Sequence, residues 1–151
     1  MAELAGRIGD GFIGTGPDKE LLQAYQRAGG DGPRYGQVTL CWASSERSAR
    51  QTAHEWWPNA ALKGEVTQEQ PNPAQFSDLV QIVSEDQVAK AVSCGPDPAV
   101  HLARIREYID AGYDHIYLHQ VGPDQAGFLR FAERELLPAL RPARETAPAA
   151  S

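Results

Sequence analysis

The stretch from Cys94 to Gln120 constrains the fold more than any other part of this chain. It opens with Cys94-Gly95-Pro96-Asp97-Pro98 and closes with Asp110-Ala111-Gly112-Tyr113-Asp114-His115-Ile116-Tyr117-Leu118-His119-Gln120. Asp97 can cap a helix, because its carboxylate accepts from the free N–H groups of the first turn. Pro98 suits the first helical position, where no N–H is needed. Leu102, Ile105 and Ile109 fall on one helical face. Gly112 suits the left-handed position just past a helix end. Ile116, Tyr117 and Leu118 are then apolar in succession, as a parallel strand covered on both faces requires. A turn, a capped helix and a buried strand make one α-to-β step of a parallel α/β fold. Arrays of such steps carry their chemistry at the strand ends.

The same alternation runs upstream. Glu3 to Arg7 reads as helix, stopped by Gly9, and Phe12-Ile13 as a short strand between Gly11 and Gly14. Pro17-Asp18 opens a helix with Leu21, Leu22 and Tyr25 inward, and Gly29-Gly30 ends it. Gln37 to Ala43 is the next strand. Ser44 or Ser45 caps a third helix, on which Ala49, Thr52, Ala53, Trp56 and Trp57 keep amphipathic spacing until Pro58. Residues 59–73 carry little periodicity and contain Gly64, Pro71 and Pro73. Loops of that length are uncommon and are often functional lids. Short helices over 74–83 and 84–89 and an extended piece at Val92-Ser93 lead into the opening motif. After it, Gly122-Pro123-Asp124 turns the chain into a last helix with Phe128, Phe131, Ala132 and Leu136 on one face. Residues 141–151 are rich in Pro and Ala and are expected to form a disordered tail.

Three strands, each followed by a helix, leave raw sheet edges. The reading is therefore an α/β chain that forms the C-terminal part of a larger βα protein. A formal charge of −6 with 14 scattered basic residues excludes a nucleic-acid surface, which needs clustered Lys and Arg. Cys41 and Cys94 form no CxxC pair, which fits a reducing, cytoplasmic setting. No apolar run approaches the roughly 20 residues of a membrane span, and the first ten residues lack a hydrophobic signal core.

Five runs, taken in order, carry a family resemblance: Ala5 to Gly14, Tyr35 to Ala43, Trp57-Pro58-Asn59, Cys94 to Asp97, and His119 to Gln125. Over about residues 3 to 141 the chain resembles the luciferase-like superfamily, in its branch of F420-dependent glucose-6-phosphate dehydrogenases. The resemblance implies a partial TIM (β/α)8 barrel: the last three βα units, with an insertion at about 58–90 after the seventh strand, and one domain over 1–140. It implies hydride transfer between coenzyme F420 and an alcohol or carbonyl substrate, and a homodimeric parent. It also places the catalytic histidine, its acidic partner and most coenzyme contacts in the first five strands, so no catalytic or coenzyme-binding residue is assigned here. The family's sugar-phosphate ligands are a threonine and a lysine after the sixth strand, a lysine in the insertion and an arginine further on. Thr15 matches the threonine, Pro17-Asp18 replaces the first lysine, Lys63 lies in the insertion, and Lys90-Ala91-Val92 lacks the arginine. Glucose-6-phosphate is therefore not the expected substrate.

The candidate substrate-side residues are Thr15, Trp42, Trp57, Lys63 and His119. Each has a plainer alternative. Thr15 could cap the following helix, Trp42 could simply pack, Trp56 and Trp57 could anchor the helix and the excursion, and His119 could bond near the core rim. His115 and His119 stand about 13 Å apart on a strand, too far to share a zinc ion. Glu133 and Glu135 beside Arg130 and Arg134 make a solvated helix face. Two other readings remain open: a non-catalytic half-barrel that self-associates, and an FMN-dependent luciferase-like monooxygenase.

Overall fold

The computed structural model describes residues 1–62 and 72–141. Its centre is strand β2 (Arg34–Cys41). Strand β1 (Phe12–Gly14) pairs with its first half, Gly14 opposite Gly36. Strand β3 (Ser93–Cys94) pairs with its end, Cys94 opposite Cys41. Strand β4 (His115–Gln120) runs beside residues 35–40. All pairings are parallel. Tyr35 and Gly36 meet both β1 and β4, and Leu40 meets both β3 and β4. A strand has two edges, so β1 and β3 share one edge of β2 and β4 takes the other. On the shared edge the ladder stops at Gly36 and resumes at Leu40.

Strand alternation sorts the side chains. Val38 and Leu40 are fully buried with Leu22, Ile105, Tyr108, Phe128 and Leu136. Those partners come from helices α2 (Lys19–Arg27), α6 (Pro98–Ala111) and α7 (Gln125–Phe131) and the turn that follows it. The opposite face carries rings and polar groups. Tyr35 packs on His115 and Tyr117, with ring centroids 4.8 and 5.7 Å away. Ile13 is 70% exposed and Tyr117 57% exposed on that side. The sheet is thus a helix-backed layer whose other face is open along β1 and β4. A smaller core closes the C-terminal end of β2. There Cys41 packs with Ala49 and Ala53 of α3 (Glu46–Trp56) and Val88 of α5 (Glu85–Ala91). Arg50 ties α3 to α5 by donating to Glu85 (3.0 Å) and to Asp86.

The capping chemistry is as the sequence predicts. Asp97 accepts from the Ala99 N–H at 2.9 Å, and Gly112 takes the left-handed conformation (φ 110°). Asp18 caps α2 through Glu20 and Leu21, and Ser45 caps α3. The short helices fall at α4 (Pro73–Gln81) and α5, and β3 adds a fourth strand to the three expected.

Four expectations are corrected. β4 is not covered on both faces: Ile116 and Leu118 lean on the helix-side core, whereas Tyr117, between them, turns to the open face. The buried stripe of α6 is His101, Ile105 and Tyr108, and Ile109 is 46% exposed. Polar rings can go inside because each finds a hydrogen-bond partner there. Trp56 and Trp57 do not extend the buried face of α3, which consists of Ala49 and Ala53. The helix ends at Trp56, and Trp57 leaves it with φ −141°, so helical spacing does not reach it. The last helix is also interrupted. A π turn (Ala132–Leu136) joins α7 to α8 (Leu137–Leu140), which contains Pro138. Proline cannot donate to the carbonyl one turn back and crowds it, which accounts for the widened turn.

Candidate functional site

A cleft among the described residues has a volume of about 550 Å³. It opens where the β1–β2 ladder stops. Its walls are the loop after β1 (Thr15, Gly16), Gln37 and Thr39 of β2, and Arg104 and Tyr108 of α6. Lys90, at the end of α5, and Asn59, in the 3-10 turn Pro58–Ala61 that follows Trp57, complete it. The site therefore lies past the C-terminal end of β1, on the side where βα arrays place their chemistry.

Thr15 is exposed in this wall, and its hydroxyl is not used as a helix cap, since Asp18 takes that role. Trp57 lines the cleft. His119 stands at its rim, with its ring edge-on to Trp57 (centroids 4.8 Å apart) and its Nδ1 3.4 Å from the Thr39 hydroxyl. The structure thus brings Thr15, Trp57 and His119 to one place. Trp42 lies elsewhere. It continues the helix-side alternation of Val38 and Leu40 and stacks on Phe131, with centroids 5.7 Å apart. Its main chain is held from both sides by the Gln120 amide, which accepts from its N–H at 2.8 Å and donates to its carbonyl at 3.1 Å. Lys63 lies outside the described residues.

Sequence reasoning missed Gln37, Thr39, Lys90, Arg104 and Tyr108. The parity of β2 carries a signal for the first two, because Gln37 and Thr39 share the face opposite Val38 and Leu40. Nothing in the helical pattern of α6 separates Arg104 from a solvated charge. Arg104 donates to Glu107 at 2.5 Å, and its guanidinium carbon lies 5.8 Å from the centre of the Tyr108 ring. Among the described residues the lining offers two cations, two threonines and two side-chain amides, with no carboxylate or imidazole in the wall itself. Such a set grips an anionic or hydroxylated molecule by charge and hydrogen bonds. It does not supply an acid–base pair.

Other titratable groups are structural. His101 is fully buried, and its Nε2 lies 2.9 Å from the Gly95 carbonyl, which can only accept. That nitrogen therefore carries the proton, and Nδ1 takes the Ser93 hydroxyl at 3.1 Å. Burial pushes its pKa below the ordinary histidine value. Burial likewise pushes the Cys41 thiol up to about 11 and the Cys94 thiol up to about 12. Among the described residues no cluster of His, Cys, Asp or Glu could hold a metal ion, and no helix is long and apolar enough to cross a membrane.

No protein-family model matches the chain. Curated relatives do. It is 32% identical to an F420-dependent glucose-6-phosphate dehydrogenase of Intrasporangium calvum, over 93% of this chain and 46% of that protein. It is also 32% identical to its counterpart in Rhodococcus hoagii, over 93% of this chain and 45% of that one. The chain therefore spans about half the length of the curated relatives it matches. Two solved structures share its fold. One is an F420-dependent secondary alcohol dehydrogenase in complex with an F420–acetone adduct (TM-score 0.68, 18% identity, 93% of this chain and 46% of that one). The other is the coenzyme F420 dependent tetrahydromethanopterin reductase of Methanopyrus kandleri (TM-score 0.67, 15% identity, 93% and 48%). By sequence along nearly its whole length, the chain is a homologue of the F420-dependent glucose-6-phosphate dehydrogenases, and its parallel α/β sheet has the fold of F420-dependent enzymes.

Proposed function

We propose that this chain is the C-terminal part of an F420-dependent oxidoreductase with a (β/α)8 barrel, and that it builds the substrate side of the barrel mouth. Residues 1–140 would form the closing portion of the barrel, with the insertion at about 58–90 over the mouth and the tail beginning at 141. The observation that carries the reading is the cleft past β1, lined by Thr15, Lys90 and Arg104, in a chain with F420-dependent relatives along 93% of its length. The substrate class is a small alcohol or carbonyl compound bearing an anionic group. Lys90 and Arg104 would hold the anion, and Thr15, Thr39 and Gln37 the hydroxyls. Trp57 and His119 would wall the reacting carbon against water, with Lys63 a further cation from the insertion.

The residues present fit a deazaflavin ring on one side. At the C-terminal end of the strands His119 and Trp57 offer flat partners, and aromatic faces suit planar conjugated ligands. When bound, the coenzyme supplies the hydride acceptor or donor. The chain's own residues bind and orient the substrate, and the proton acceptor comes from elsewhere in the parent, so the chain alone should show no turnover. The parent would be a cytoplasmic homodimer that meets neither nucleic acid nor membrane.

The test is reconstitution. The chain is joined to the N-terminal half of the Intrasporangium calvum relative, and F420 reduction is followed by loss of the coenzyme's visible absorbance with a panel of anionic alcohols. Turnover in the chimaera and none in the chain alone is the expected result. Tight binding of FMN with no binding of F420 would sink the reading. A second reading, a self-associating half-barrel, is favoured by the exposure of Ile13 and Tyr117. A concentration-dependent dimer of the chain alone, with no turnover in the chimaera, would support it.

A further inference from the structure

The loop that carries Thr15 is held from behind by two tyrosines. Tyr108, on α6, donates its hydroxyl to the Thr15 carbonyl at 2.9 Å. Tyr113, in the turn after α6, donates to the Gly16 carbonyl at 3.0 Å. The partners are 93 and 97 residues apart in the chain. Both rings belong to the main core, 1% and 5% exposed, and pack on each other with centroids 5.6 Å apart. They reach the loop because two glycines leave room. A Cβ on Gly14 would stand 2.0 Å from the Tyr113 hydroxyl, and one on Gly36 would stand 2.8 Å from the Tyr108 ring. Gly14 and Gly36 are register partners on adjacent strands.

We propose that Tyr108 and Tyr113 are positioning residues that fix the Thr15–Gly16 wall of the cleft, and so set where the Thr15 hydroxyl stands for a ligand. Phenylalanine would fill the same core volume, so packing does not explain the hydroxyls. The carbonyls of residues 15 and 16 lie just beyond the last β1 pairing at Gly14. Two consecutive carbonyls past a strand end need donors, and the tyrosines supply them from a rigid helix. Asp18 adds its N–H to the Gly16 carbonyl at 2.9 Å, which carries the same anchor into the α2 cap. This inference rests on the reading of the cleft as a ligand site, but its test needs neither coenzyme nor substrate.

The test is residue-resolved amide hydrogen exchange by NMR on the chain and on Y108F, Y113F and Y25F. Tyr25 is the control. It is fully buried, and its hydroxyl accepts from the Gly32 N–H at 3.0 Å, away from the loop. Y108F and Y113F should speed exchange of the Asp18 N–H, which is bonded to the anchored Gly16 carbonyl, by about threefold to tenfold, the effect of one net hydrogen bond, once global stability is corrected for. Y25F should leave that amide unchanged. Equal acceleration in Y25F, or none in Y108F and Y113F, would overturn the proposal. If one of the two loop variants fails to fold, the other decides it. Failure here would leave the F420 reading standing, and failure of reconstitution would leave the exchange result standing.

Discussion

The imidazole of His119 stands edge-on to the indole of Trp57, with ring centroids 4.8 Å apart at an interplanar angle of 75°. This contact joins the end of β4 to the residue that closes α3, so it couples the sheet to the cleft's outer wall. Pairs of this geometry are worth about 0.5–1.5 kcal/mol beyond area burial. A double-mutant cycle of W57A and H119A in urea unfolding should return a coupling of about 1 kcal/mol. Strict additivity would show that the two rings do not support each other.

The cleft cations should act on binding. In the reconstituted barrel, K90A and R104A should each raise KM for an anionic substrate by about tenfold or more, from loss of a charge-assisted contact. The exposed Arg130 on α7 serves as the control, and R130A should leave KM unchanged. Steady-state kinetics over a substrate series decides. A drop in kcat alone would contradict a binding role.

His101 predicts a pH dependence of folding. Burial holds its folded pKa below the ordinary 6.5, with the Gly95 contact only partly opposing this. The folded state therefore binds fewer protons than the unfolded one. Its contribution is complete above the unfolded value and is lost as pH falls through the folded value. Urea midpoints should decline below about pH 6.5, and H101Q should flatten that decline. An unchanged slope in H101Q would remove His101 as the cause.

Asp114 gives a second, more acidic limb. Its carboxylate takes the Arg34 guanidinium at 2.9 and 2.5 Å and the Arg34 backbone N–H at 2.9 Å. The hydrogen bond from Arg34 holds it below the usual 3.8. Its contribution is present above that value and lost as pH falls through the folded one. D114N should lower the melting temperature at neutral pH and make acid unfolding less steep, as followed by far-UV circular dichroism.

The glycine pair predicts overpacking. G36A and G14A force side-chain carbons into the Tyr108 and Tyr113 rings, and such insertions cost about 1–3 kcal/mol. G16A, where an added Cβ meets nothing within 4 Å, should cost far less. Equal losses at all three sites would point to a backbone effect instead of the close approach.

The α6 step was legible because caps and stops are local chemistry: Asp97, Pro98 and Gly112 declare their roles within a few residues. The facing of α6 was not. Apolarity favoured Ile109, whereas the packed helix buries His101, which bonds to Ser93 and Gly95 just before the helix, and Tyr108, whose partner Thr15 lies 93 residues away. β3 was legible only as a brief extended piece at Val92-Ser93, because a two-residue strand leaves no periodic trace, and its pairing shows only in its register with Leu40 and Cys41. At the cleft, Thr15, Trp57 and His119 converge, and the first of these came from the family resemblance. Trp42 could have been placed by counting from Val38 and Leu40, since strand parity sends it to the helix side. Lys90 and Arg104 were beyond reach, because the cleft they both line forms beside a gap in a ladder and not through spacing along the chain.

Cys41 and Cys94 sit opposite each other where the central strand meets its shortest neighbour, and their thiols are pushed up to about 11 and about 12. Near neutrality almost none of either sulfur is in its reactive anionic form. A thiol-directed dye would therefore be slow to label the intact molecule and quick once these two strands part. The cysteines give a built-in clock for the opening of the sheet beside the cleft, readable without adding any probe residue.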